Sequence, residues 1–225
     1  MKFGVIIPDR NDRLQFTSNC LRLISRQTIQ PEIVELVNFK PTDGEKDITK
    51  RYRVGYDSLR NKQLDAIFFI ENDDWYAANY FEVMLNEWEQ RGRPGIFGTD
   101  YTIYYHILEK SHFTMYHNVR SSAMSTLIRP DLQLQWPKDD DPYTDITLWH
   151  QIINKAIFKP ERHICLGIKH GVGLCGGANH TDFMKRYIND DDQYKFLSSI
   201  VDAESLNFYK KIANEIQSGR AQREW

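Results

Sequence analysis

Residues 68–76, FFIENDDWY, change character within a few positions: three apolar side chains, then three carboxylates around Asn72, then two large aromatics. With the residues before it, the apolar run is DAIFFI (65–70), unbroken rather than alternating, which predicts a strand covered on both faces. Asp73 and Asp74 follow at its end. Two adjacent carboxylates resist joint ionisation unless a cation compensates them, and a divalent metal is the natural compensator. An oxygen-only donor set with open positions suits Mg²⁺ or Mn²⁺, ions held by one or two carboxylates together with substrate phosphates. The competing reading is an Asp-rich turn that caps a helix starting at Asp73 or Asp74.

Upstream, KFGVIIP (2–8) reads as a strand closed by proline and TSNCLRLISRQ (17–27) as a helix with a Thr/Ser start. IVELVN (33–38) is a second strand, and the polar loop FKPTDGEKD leads into a helix, ITKRYRVGYDSLRNKQL (48–64). Beyond the third strand, ANYFEVMLNEWEQR (78–91) has the spacing of an amphipathic helix. This alternation predicts an α/β fold built on a mostly parallel, doubly wound sheet flanked by helices. Such sheets bind ligands outside the carboxyl ends of their strands, which singles out PDRND (8–12), Asn38 and ENDDWY (71–76).

From RGRPG (91–95) onward the alternation weakens. GIFGTDYTIYYHIL (95–108) and HFTMYHNVRSSAMSTLI (112–128) read as aromatic antiparallel strands added at the sheet edge, and DITLWHQIINKAI (145–157) as a helix. HICLGIK (163–169) predicts a further strand, and a helical pattern spans 203–217. With no linker in view, the chain is expected to be one domain over residues 1–225.

The 29 basic and 31 acidic residues leave a formal charge of −2, which excludes a global positive field for nucleic acid or anionic lipid. The N-terminal apolar run is too short for a signal peptide or a membrane span, so a soluble, cytoplasmic protein is expected. Cys20, Cys165 and Cys175 form no CxxC pair and are expected as free thiols.

GVIIPDRNDR at the first strand, the basic helix ITKRYRVGY and AIFFIENDDWY at the third strand's end together resemble the GT-A glycosyltransferases, particularly the family 2-like group. The resemblance covers about the first 80 residues. It implies a nucleotide-sugar-binding half (1–90), an acceptor-side half (91–202) and a C-terminal helix and tail (203–225). The family's aspartate-rich DxD motif binds the sugar nucleotide through its ribose and through a metal on the diphosphate. By position, Asp74 matches the metal-binding aspartate, while Asn72 and Asp73 match donor-contacting positions. Pro8, Asp9 and Arg10 match the turn that wraps the base, although Asp9 and Arg10 replace the usual Thr and Tyr. Asn38 ends the second strand on the same side, and Arg51 and Arg53 fall near the family's basic position facing the donor. A solvated helix face explains these two arginines equally well.

The loop HGVGLCGGANH (170–180) puts His170 straight after a strand and among glycines. In many GT-A enzymes a C-terminal histidine completes the metal shell, and His170 resembles it; imidazole favours Mn²⁺ over Mg²⁺. Cys165, His170, Cys175 and His180 also recur every five residues, but structural zinc sites pair ligands two to four residues apart. Ordinary loop histidines bonded to backbone are the third reading. In WPKDDDPYTDITL (136–148), Asp145 opens the predicted helix, where an acid caps the chain or complements the helix dipole. The resemblance gives it a further role: inverting family members carry an acidic pair at the start of an acceptor-side helix, and TDITL resembles it with Thr144 in place of Glu. Asp145 would then be the general base, with Asp141 in reserve.

The leading expectation is a metal-dependent, inverting glycosyltransferase using a UDP-linked or similar nucleotide sugar. The acceptor hydroxyl is open among a glycan, a protein, a small molecule and a hydroxylated base in DNA. A nucleotidyltransferase also sets carboxylates at strand ends, but PDRNDRLQF lacks the glycines of a phosphate loop. A noncatalytic nucleotide-sugar-binding module is the alternative from another class.

Overall fold

A computed structural model describes residues 1–41, 44, 46–171 and 186–219. The chain starts as β1 (Phe3–Pro8), α1 (Leu14–Ser25), β2 (Ile33–Val37), α2 (Ile48–Leu59) and β3 (Ala66–Phe69). β1 pairs in parallel with both β2 and β3, and the apolar side chains of β1 and β3 are wholly buried. The unbroken apolar runs therefore form the inner strands of a helix-covered sheet, as their composition requires.

α2 lies unusually close to that sheet. A Cβ built on Gly55 would stand 2.4 Å from Ile6 Cγ2 and 3.1 Å from Val37 Cγ2, so only a glycine lets the helix descend this far.

The acidic residues do not start a helix. Trp75–Tyr76 form a two-residue strand, β4, and the next helix, α3 (Tyr80–Gln90), begins after Asn79. Then come β5 (Ile96–Thr99), β6 (Tyr101–His106), β7 (Ser111–Tyr116), a 3-10 turn at Ala123–Ser125, and β8 (Thr126–Ile128). The predicted helix 145–157 divides into α4 (Thr144–Gln151) and β9 (Lys155–Phe158). β9 pairs in parallel with β5, and Ile152 is extended at φ −91° and ψ 116°. β-branched Ile152 and Ile153 break the helix cheaply, and the edge of β5 offers hydrogen bonds that a continued helix would forgo. β10 (Cys165–Lys169), β11 (Asn189–Asp190), α5 (Lys195–Ile200) and α6 (Ala203–Gln217) complete the described elements.

Two sheets result. The first runs β2-β1-β3-β8-β5-β9, its parallel pairs interrupted only by β8; the second runs β11-β7-β6-β10-β4 and is mainly antiparallel. This is the mixed α/β architecture expected, with the added antiparallel strands in the C-terminal half. One apolar cluster joins α1, β4, β6, β10, α5 and α6, through residues such as Phe16, Leu23, Trp75, Ile103, Leu166, Leu197 and Tyr209. α6 is capped by Asp202, which accepts from the Ser205 amide at 3.0 Å and from Trp75 Nε1 at 3.2 Å. Among the described residues, no helix is long and apolar enough to cross a membrane.

Candidate functional site

The turn between β3 and β4 carries the acidic residues. The Glu71 amide donates to the Tyr76 hydroxyl at 3.0 Å, and the Asp74 amide to the Glu71 carbonyl at 3.4 Å, so the chain folds back within four residues. Glu71, Asp73 and Asp74 each then offer an oxygen within 4.8 Å of the others. Within this turn the two aspartates find different partners. Asp74 is fully buried: its Oδ1 accepts from the Ile168 amide of β10 at 2.7 Å, and its Oδ2 meets no hydrogen-bond partner among the described residues. Burial, then Glu71 and Asp73, push its carboxyl well above the usual range. Asp73 faces outward, its Oδ2 accepting from Arg13 Nη1 at 2.9 Å and lying 3.0 Å from His170 Nε2. Burial opposes its charge, yet Arg13, His170 and Lys169 hold it far below the carboxylate range.

His170 comes directly after β10, is 3% exposed and rests against the Phe16 ring of α1 at 4.7 Å. The carboxylate it meets is that of Asp73 rather than the expected Asp74, because Asp74 is turned inward to hold β10. Lys169 precedes it; burial works against its charge, but Asp74, Glu71 and Asp73 raise its pKa. Glu71 is pushed up to about 7, first by burial and then by Asp73 and Asp145, with Lys169 opposing.

The loops after β1 and β2 close the same edge. Asp9 is buried and its Oδ1 accepts from Asn72 Nδ2 at 3.2 Å and from the Asn11 amide at 3.0 Å. Asn72 also reaches Thr17 Oγ1 at 3.2 Å, so Asn72 and Asp9 stitch two loops together beneath the surface. Arg10 Nη1 bonds Asp47 Oδ1 at 2.9 Å, Pro8 ends β1 in a buried position, and Asn38 is exposed at the rim. Arg51, expected to face the donor, is instead 1% exposed and serves the loops: Nη1 donates to the Asp9 and Val37 carbonyls and Nη2 to the Phe39 carbonyl and Asp47. Arg53 pairs with Asp139 at 2.9 Å on the surface, away from the acidic turn's hydrogen-bond network.

Opposite the acidic turn stands the N-terminus of α4. A cavity of about 310 Å³ lies between them, with Glu71 and Lys169 on one side, Asp145 and Tyr143 on the other, and Tyr52 and Tyr104 in its lining. Asp145 sits in the first turn of α4 and its Oδ2 accepts from Arg120 Nη1 at 2.6 Å. Burial raises its pKa and Arg120 counters that. Asp141 instead caps the turn, its Oδ1 accepting from the Tyr143 amide at 2.8 Å.

Arg13, Lys169 and Arg120 were not anticipated. A lysine ending the otherwise apolar β10 is a signal in retrospect, as is the Arg10/Arg13 spacing; Arg120 had none. For the zinc reading, Cys165 is a buried β10 residue with a free thiol, and Cys175 and His180 lie outside the described residues. Cys20 is likewise free and buried.

The residues at the turn fit a hard divalent cation. Glu71, Asp73 and Asp74 each offer an oxygen within 4.8 Å of the others, and Asp74 Oδ2 is buried with no hydrogen-bond partner among the described residues, while Arg13 Nη1, 2.9 Å from both Asp73 Oδ2 and His170 Nε2, already bridges that pair.

No protein-family model and no curated protein matches the chain. Among solved structures it is similar to Staphylococcus aureus TarS 1–349 in complex with UDP-GlcNAc, with a TM-score of 0.55 and 11% identity over 75% of this chain and 59% of that one. The same TarS segment with UDP gives 0.54 and 10% identity over 75% and 60%, and the longer TarS structure 0.54 and 10% over 75% and 37%. The chain thus spans about three-fifths of TarS 1–349. Its sheet order and this likeness identify the fold as GT-A-like.

Proposed function

We propose that the protein is a glycosyltransferase that moves a sugar from a UDP-linked donor to an acceptor hydroxyl with inversion at the anomeric carbon. One observation carries the reading: on a GT-A-like frame, Glu71 of the acidic turn, Lys169 and the carboxylate of Asp145 line a single cavity of about 310 Å³. UDP as carrier is supported by the UDP and UDP-GlcNAc complexes of the structurally similar TarS.

The diphosphate is drawn to Lys169, a cation that lines the cavity beside Glu71. Asp145 accepts the proton of the acceptor hydroxyl as its oxygen bonds to the anomeric carbon. The bond from that carbon to the phosphate oxygen breaks, and its electron pair leaves on UDP. Asp73, Asp74 and Glu71, with His170 beside Asp73, are the residues that would hold Mn²⁺ or Mg²⁺, and such an ion would offset charge on the departing diphosphate. Buried, free Cys20 and Cys165 agree with a cytoplasmic setting.

The test is incubation with Mn²⁺ and a panel of nucleotide sugars including UDP-GlcNAc, measuring released diphosphate with and without glycan, protein, small-molecule and hydroxylated-DNA acceptors. Turnover is expected for at least one donor, falling at least about a hundredfold in Asp73→Ala and in Asp145→Asn. Failure to turn over any donor, or release of pyrophosphate instead, would overturn the proposal.

A further inference from the structure

Arg120 reaches Asp145 from a segment far more rigidly built than one half-buried arginine would require. Thr102, Ser121, Ser122 and Ser125 around it are all buried. Ser121 Oγ and Ser125 Oγ lie 2.8 Å apart, and Ser122 Oγ is 2.7 Å from Thr102 Oγ1 and 3.0 Å from the Tyr104 hydroxyl. His117 Nε2 joins this network at 3.0 Å from Thr102 Oγ1. β5 makes room for it with a glycine: a Cβ on Gly98 would stand 2.4 Å from Ser121 Cβ and 2.6 Å from the Ser125 carbonyl. The backbone on either side of Arg120 is thereby clamped to β5 and β6, and the guanidinium ends 2.6 Å from Asp145 Oδ2.

We infer that Arg120 is a positioning residue for the base: it fixes the side-chain conformation of Asp145 at the mouth of α4 and keeps that carboxylate ionised inside the cavity. The inference rests on Asp145 being the base. A protonated carboxyl cannot take the acceptor's proton, and burial drives Asp145 towards that form, with Asp141 adding to the effect. Arg120 is the opposing charge, helped by the amides of Ile146 and of Asp145 itself. Glu71, Lys169, Lys46, Arg186 and His106 share the cavity lining with Asp145, as do Tyr52, Tyr104, Tyr143 and Tyr187, but among the described residues the direct ion pair to Asp145 is made by Arg120.

The experiment uses UDP-GlcNAc hydrolysis, in which water takes the acceptor's place, with saturating Mn²⁺. The pH dependence of kcat/KM is followed in the wild type, Arg120→Met and Arg120→Lys. Its acid limb reports ionisation of the base in the free enzyme. Arg120→Met is expected to move that limb up by about one unit or more, so that activity on the limb falls roughly tenfold while UDP affinity stays within about twofold. Arg120→Lys keeps the charge and is expected to restore the limb. An unmoved limb with equal loss at every pH, or a parallel loss of UDP affinity, would overturn the inference. Arg120→Gln stands in if the methionine variant does not fold. A ¹³C titration of the Asp145 carboxyl, assigned with Asp145→Asn, reads the same shift without turnover. An inactive wild type would count against the glycosyltransferase reading, while an Asp145 titration that Arg120→Met leaves unchanged would count against Arg120.

Discussion

Replacing Arg51 with methionine removes a guanidinium that makes four hydrogen bonds from a position 1% exposed: to the carbonyls of Asp9 at 2.5 Å, Val37 at 2.9 Å and Phe39 at 2.8 Å, and to Asp47 at 2.7 Å. The three carbonyls lie in or beside the loops that follow β1 and β2, so this one side chain ties together two walls of the proposed nucleotide pocket. Removing one partner of a buried ion pair costs about 3–5 kcal/mol. Asp47 keeps Arg10 at 2.9 Å, which favours the lower half of that range, while the stranded carbonyls favour the upper. A chain of 225 residues loses roughly 2–4 °C of Tm per kcal/mol, so a fall of about 6–20 °C is expected. Arg51→Lys retains the charge but not the fork and should recover about half of the loss. Urea unfolding at equilibrium reads the effect as a lower midpoint at unchanged slope. A loss under about 1 kcal/mol combined with abolished UDP binding would refute the reasoning and return Arg51 to the donor-contacting role expected from sequence.

Two further changes test the packing and the electrostatics. Gly55→Ala gains helix propensity worth about 1 kcal/mol, but its Cβ would lie 2.4 Å from Ile6 Cγ2, and overpacking costs about 1–3 kcal/mol. A net destabilisation is therefore expected in urea, and a variant more stable than wild type would show that α2 can lift off the sheet freely. His117 has its pKa lowered to about 4, first by burial and then by Arg120, against about 6.5 when unfolded. Because the unfolded chain takes up the proton first, the stabilisation from neutral His117 is complete above pH 6.5 and is lost as pH falls towards 4. Wild type should thus lose more stability between pH 7.5 and pH 5 than His117→Gln does; equal losses would count against a neutral, buried His117.

The first 90 residues were readable because their signals are local: β1 and β3 are continuous apolar runs, and α3 follows a clear amphipathic pattern. The C-terminal helix emerged at 203–217 for the same reason. Residues 152–157 were misread since the pattern of Ile152, Ile153 and Ile157 suits helix or strand, and the decision belongs to β5, some sixty residues earlier. The site followed the same rule. The acidic turn was visible, but the sequence does not say which of Asp73 and Asp74 looks outward; that depends on the amide of Ile168, 94 residues away. Arg51 was legible as a basic residue on a helix, yet its partners are carbonyls, which carry no signature in sequence. Arg120 is hidden for a different reason: its partner, the Asp145 carboxylate, lies 25 residues along the chain.

The acidic turn is also the first place where the polypeptide passes from one sheet to the other: β3 belongs to the first and β4 to the second, with Ile70–Asp74 between them. Asp74 reinforces that passage by holding the Ile168 amide at 2.7 Å. The two sheets are therefore not exchangeable modules. The described strands pass between the two sheets five times, at β3–β4, β4–β5, β5–β6, β7–β8 and β9–β10, so a chimera that replaces the second sheet needs several junctions, and one of them falls inside the carboxylate cluster.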